Sequence, residues 1–173
     1  VWAERRYGDL DHLNDAWGTA FWSQRYTAWG QILPPRRTTS FANPTHQLDY
    51  HRFGSDTLLD FFLDEKQALG ALSRGVPVTT NFMTMTGFRL LDYHQWAPHQ
   101  GVVSTDHYVV DSLPDPRAEL SFSADLTRGI AGGRPWMLME HSTSAVNWQP
   151  VNRAKAPGQT LRDSLVHVAR GAD

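Results

Sequence analysis

Cysteine is absent from the 173 residues, which excludes disulfides, a thiolate nucleophile and cysteine-ligated zinc within this stretch and leaves the redox compartment undecided. No apolar run approaches the length of a membrane span, and the first residues do not read as a signal peptide. An excess of one charge sign is missing too. Lys plus Arg number 16 against 18 for Asp plus Glu, a formal net charge of -2, so neither nucleic acid nor an anionic membrane surface is expected as a partner. The Gly-x-Ser-x-Gly elbow of serine hydrolases is lacking around Ser142 and Ser144, and no Gly-rich phosphate loop occurs. Nor do the eight histidines show a His-Glu-x-x-His spacing or another ligand pair at helical separation, so no cofactor and no metal are expected.

Aromatic and apolar residues are well supplied. Hydrophobic residues make up 40% of the chain and aromatics 12%, with 7 Trp, 5 Tyr and 8 Phe, enough for the core of about one domain. Several tryptophans fall in stretches that do not read as core helices. Rings outside a core suit flat apolar ligand faces, those of sugars among them, because they bury area with little loss of rotamer freedom.

In chain order, Trp2–Tyr7 reads as the last turns of a helix closed by Gly8, and Asp9 as the cap of a short helix carrying Leu10, Leu13 and Trp17 up to Gly18. A long aromatic loop follows, through Pro44. Gln47 to Leu72 is the longest helical pattern, with Leu58, Leu59, Phe62, Leu69 and Leu72 on one stripe. Strands are predicted over Val76–Phe82, Gly101–Tyr108 and Pro135–Glu140, the last buried on both faces. Helices are predicted over Gly87–Pro98, from Pro116 with Asp115 capping to Gly132-Gly133 and with Leu120, Ala124 and Thr127 facing in, and over Pro157–Ala169 with Leu161, Leu165 and Val168 on one side. Helix and strand alternate, the signature of parallel βα units. Three strands are too few for a closed barrel, which needs eight and typically about 250 residues. The expectation is therefore an α/β fold: a partial (β/α)8 TIM barrel, from roughly a fourth helix to a seventh, with parallel strands five, six and seven. The whole of 1–173 reads as a fragment of one catalytic barrel domain.

The three strands finish in polar groups: Asn81, then Asp106-His107-Tyr108, then Glu140-His141. Parallel strands bring such ends together, and in barrels catalytic groups collect there. Neighbours on a strand point to opposite faces, so at most one of Glu140 and His141 can face the barrel axis, which disfavours a metal held jointly by Asp106, His107, Glu140 and His141. A carboxylate amid Tyr and Trp fits glycoside hydrolysis, where one carboxylate attacks the anomeric carbon and another protonates the leaving oxygen. Tyr108 could hold the ionised nucleophile by a hydrogen bond, or merely cap the core. Two readings from other classes stay open: a non-catalytic carbohydrate-binding or scaffold protein that keeps the aromatic cleft, and a metal-dependent barrel hydrolase.

The motifs Leu13-Asn-Asp-Ala-Trp-Gly-Thr-Ala-Phe-Trp-Ser-Gln-Arg-Tyr26, Thr80-Asn-Phe-Met83, Ser104-Thr-Asp-His-Tyr108 and Pro135-Trp-Met-Leu-Met-Glu-His-Ser-Thr-Ser-Ala-Val-Asn-Trp148 together resemble the catalytic domain of family 42 glycoside hydrolases. The resemblance implies a (β/α)8 barrel and retaining hydrolysis of terminal β-D-galactosides. It also implies Glu140 as nucleophile and Tyr108, Trp22 and Trp148 as substrate-binding residues, in an enzyme expected in the cytoplasm and assembled as a homotrimer. The family's acid/base glutamate follows an asparagine at the end of the fourth strand, and no Asn-Glu pair occurs here. The chain is thus expected to be a piece of a β-galactosidase, inactive alone and needing the remaining half of the barrel as its partner.

Overall fold

The computed structural model describes residues 1–21, 23–39, 41–85 and 91–173. The first elements are α1 (Trp2–Tyr7), α2 (Leu10–Trp17), a short 3-10 turn (Trp29–Gln31) and α3 (Pro44–Leu72). After them come β1 (Asn81–Phe82), α4 (Tyr93–Trp96), β2 (Ser104–His107), α5 (Pro116–Ile130), β3 (Met137–His141) and α6 (Gln159–Ala169). Two compact units emerge, Val1–Phe61 and Phe62–Asp173, with the boundary inside α3. No described helix is long and apolar enough to cross a membrane.

In the first unit the predicted punctuation holds. Asp9 accepts a hydrogen bond from the His12 amide to cap α2, and Gly18 ends it in the left-handed region, where a missing Cβ removes the steric cost. Asn43 receives the amides of Thr45 and His46 at 3.0 and 3.3 Å, so α3 starts at Pro44, three residues earlier than its apolar pattern suggests. Buried Asp49 binds this unit together: it accepts from Tyr7 Oη at 2.5 Å, Trp17 Nε1 at 2.9 Å and Arg52 Nη1 at 3.0 Å. Burial opposes the charge of Asp49, but these hydrogen bonds and the nearby Arg6 outweigh it and hold the carboxyl below its ordinary value.

The second unit is built on a parallel sheet in the order β1-β2-β3. Its apolar core is Phe82, Val103, Leu120, Ala124 and Trp136, all nearly fully buried. Asp115 caps α5 by accepting from the Ala118 amide, as predicted, and Leu120, Ala124 and Thr127 face inward. Between α5 and the strands lies a hydroxyl cluster in which Thr84 Oγ1 meets Thr105, Ser123 and Thr127 at 3.0, 3.1 and 2.8 Å. Gly101 has a packing reason: a Cβ there would lie 2.6 Å from the Pro77 Cβ, where its amide donates to the Val78 carbonyl.

Several expectations require correction. Of the segment Val76–Phe82 only Asn81 and Phe82 pair in the sheet: Pro77 offers no amide to a ladder, and the Thr80 amide donates to the Gln100 side chain at 2.9 Å. Of the predicted helix Gly87–Pro98, residues 87–90 lie outside the described residues, and the rest is a single α turn extended by a 3-10 turn from Ala97 to His99. The third strand is not buried on both faces: Trp136 is fully buried, yet Met139 is 39% exposed. On α6 the stripe Leu161, Leu165 and Val168 does share one side, but that side is the exposed one, at 66, 57 and 58%, while Asp163 and His167 on the other side are only 1% exposed. Periodicity identifies a helix and its two faces; which one packs inward depends on what the sheet presents, and here the sheet presents polar partners. On α3 likewise only Leu59 and Phe62 of the predicted stripe are buried.

Candidate active site

Strand register decides which side chains meet. Ser104 and Thr105 pair with Met137 and Leu138, but Asp106 and His107 pair with Glu140 and His141, leaving Met139 as an extra residue in β3. In an unbroken ladder Asp106 would face Met139, and Glu140 would pair with His107. The bulge therefore brings Glu140 opposite Asp106 and His141 opposite His107, and re-aiming a side chain in this way is a common use of a bulge.

Asn81, at the start of β1, donates from Nδ2 to Asp106 Oδ2 at 2.5 Å. Asp106 is buried, and its Oδ1 has no hydrogen-bond partner among the described residues. Burial pushes its carboxyl above the ordinary range; the Asn81 hydrogen bond opposes the shift and the negative charge of Glu140 adds to it. Glu140 is exposed and accepts a hydrogen bond from the Tyr108 hydroxyl. The Tyr108 ring meets Trp148 edge-on, centroids 5.3 Å apart. An open cleft of about 420 Å³ is lined by Tyr108, His141 and the loop from Ser142 to Trp148. Asn152 braces that loop, bonding the Val146 amide and carbonyl at 2.9 Å each.

Of the four residues picked out from the sequence, three are thus gathered: Glu140, Tyr108 and Trp148. Trp22 lies outside the described residues. A carboxylate held by a phenol, open to solvent beside a half-exposed indole, can act as a nucleophile toward a flat polyhydroxylated ligand.

The profile of the family described as beta-galactosidase, glycoside hydrolase family 42, matches residues 1–173. The chain belongs to glycoside hydrolase family 42. A relative, a beta-galactosidase of an Arthrobacter species, is 55% identical over 173 residues, all of this chain and 25% of that protein. Gan42B, a solved GH42 beta-galactosidase, superposes with a TM-score of 0.90 at 38% identity over 99% of this chain and 26% of that one. The catalytic mutant of Gan42B from G. stearothermophilus, in which a glutamate is replaced by alanine, superposes at 0.88 with 36% identity over the same shares. The three-stranded parallel sheet is thus a piece of a family 42 TIM barrel. The chain spans about a quarter of the length of the relatives it matches.

Along the paired strands Asp106 lies opposite Glu140 and His107 opposite His141, and alternation turns the two pairs to different faces. What sequence reasoning missed is on the face that meets α5 and α6. His107 Nε2 lies 2.9 Å from Glu119 Oε2, His107 Nδ1 lies 3.3 Å from His167 Nε2, and His141 Nδ1 is 3.2 Å from the His107 carbonyl. Burial, with the neighbouring His107 and His141, pushes His167 down to about 3; burial also lowers His141. Alternation along β2 and β3 already put His107 and His141 away from Asp106 and Glu140. His167, sixty positions after His107, carries no such signal.

Proposed function

We propose that these residues form the nucleophile-bearing part of a retaining β-galactosidase, with both compact units belonging to one catalytic barrel and β1, β2 and β3 serving as its fifth, sixth and seventh strands. In the proposed reaction the Glu140 carboxylate attacks the anomeric carbon. The bond from that carbon to the leaving oxygen breaks as the oxygen takes a proton from an acid/base glutamate about 5 Å away. That glutamate comes from outside the 173 residues, which hold no Asn-Glu pair. Water, deprotonated by the same glutamate, then displaces Glu140 and restores its carboxylate. Tyr108 donates a hydrogen bond to Glu140 and orients its carboxylate, and Trp148 and Trp22 offer flat faces to the sugar ring. The partners proposed are a terminal β-D-galactoside, the rest of the barrel, and further copies of the protein in a trimer.

The hydrogen bond from Tyr108 to a solvent-open Glu140 at paired strand ends carries this reading. That a glutamate-to-alanine change makes a catalytic mutant of the relative Gan42B supports it. The test uses the full-length protein that contains this chain. A 2-deoxy-2-fluoro-β-galactoside with an activated leaving group should accumulate as a covalent adduct that peptide mapping locates on Glu140. Glu140→Gln should lower kcat by about a thousandfold or more, on the scale seen when a covalent nucleophile is removed. An adduct on another residue, or turnover retained by the glutamine variant, overturns the assignment.

A further inference from the structure

Behind the candidate active site, three histidines from three elements converge in the buried layer between sheet and helices: His107 of β2, His141 of β3 and His167 of α6. One ring nitrogen of each lies within 4.8 Å of the other two. His107 and His167 are buried to 0 and 1% exposure. The hydrogen bonds fix much of the protonation pattern. Glu119 accepts from His107 Nε2, so the lone pair of His107 is on Nδ1, the atom that faces His167 Nε2. His141 Nδ1 donates to the His107 carbonyl, which leaves its Nε2 bare. That nitrogen, His167 Nδ1 and Asp163 Oδ2 are buried without a hydrogen-bond partner among the described residues. A buried unpaired polar atom is costly, and His141 Nε2 is left bare; with the His167 proton on Nδ1, its Nε2 turns a second lone pair toward His107 Nδ1.

We propose that His107, His141 and His167 bind a divalent ion of the zinc class. The chemistry fits at each level. Neutral imidazoles suit zinc and its neighbours, and no sulfur ligand is needed. The 3.3 Å between His107 Nδ1 and His167 Nε2 is the spacing of two donors about 2.0–2.1 Å from a tetrahedral ion. Glu119 on His107, and a backbone carbonyl on His141, are the outer partners that orient metal-binding imidazoles. The buried carboxylates Glu119 and Asp163 bring negative charge to offset the ion's. The ion would fasten α6 to β2 and β3 one residue away from Tyr108 and Glu140, a structural role on the face opposite the chemistry.

The experiment strips the full-length protein with a chelator and titrates Co²⁺ as a coloured stand-in for Zn²⁺. One ion per chain should bind, giving the visible bands of a low-coordinate cobalt–imidazole site, and X-ray absorption on the zinc form should report about three imidazole nitrogens, as a His₃ site requires. The melting temperature should rise with Zn²⁺. Glu119→Gln, which keeps the shape of the side chain, should weaken binding by about 10–100-fold, and the pair His141→Gln and His167→Gln should abolish the bands. Stripped wild-type protein that shows neither bands nor a thermal shift overturns the proposal without reference to any variant's folding. So does a cobalt spectrum that persists in the double variant or is dominated by thiolate charge transfer, since the ion then sits elsewhere.

Discussion

Asp106 is pulled in two directions: removal from water and the charge of Glu140 favour its neutral form, while the Asn81 amide favours the ionised one, and the balance raises its pKa. A carboxyl whose folded pKa lies above its unfolded value holds a proton in the fold that the unfolded chain has released. Its favourable contribution is therefore complete below the ordinary carboxylate range and disappears as pH rises through the raised value. Asn in its place is neutral at every pH. The melting temperature of an Asp106→Asn variant, relative to wild type in the full-length protein, should be more favourable at pH 7.5 than at pH 4. A difference that is flat or runs the other way would show that Asp106 is not held toward its neutral form. Glu140, at the end of an apolar strand, was legible in the sequence as a candidate.

Between elements, the join of α5 to the sheet is made by hydroxyls. Thr84 is the hub, with three hydroxyl neighbours within 3.1 Å, and Thr127 also donates to the Ser123 carbonyl at 2.8 Å. Removing one member strands the others in a dry layer, which costs more than the bond alone. Thr84→Val should destabilise the full-length protein by about 1–3 kcal/mol. Thr84→Val combined with Thr127→Val should cost less than the two single changes together, because fewer polar groups remain unpaired. Strictly additive losses in denaturant melts would mean that the cluster is not a connected network. The inward Thr127 was legible from helical spacing, but its partner Thr84 was not, because no periodicity links a loop residue to a helix far along the chain.

For the molecule as a whole, the sheet has two open edges, β1 and β3, and large apolar side chains point outward: Phe61 at 62%, Leu72 at 85% and Leu161 at 66% exposure. Unpaired strand edges and apolar faces of this kind are satisfied by further protein. The 173-residue chain produced alone should sediment as concentration-dependent assemblies and show no turnover of a chromogenic β-galactoside, since it carries no Asn-Glu pair. A well-behaved monomer that hydrolyses the substrate would contradict both halves of that expectation.

The sequence by itself determined the alternation of helices and strands, the caps at Asp9 and Asp115, the family, and Glu140, Tyr108 and Trp148 as site candidates, because local patterns and short motifs carry that information along the chain. Only the tertiary structure decided the rest. The one-residue slip at Met139, which sets Glu140 against Asp106, is a matter of pairing between strands and leaves no mark in either strand alone. The burial of His167 and Asp163 in place of Leu161 and Leu165 follows from what lies across from α6, and a helix does not encode which of its faces will find a partner.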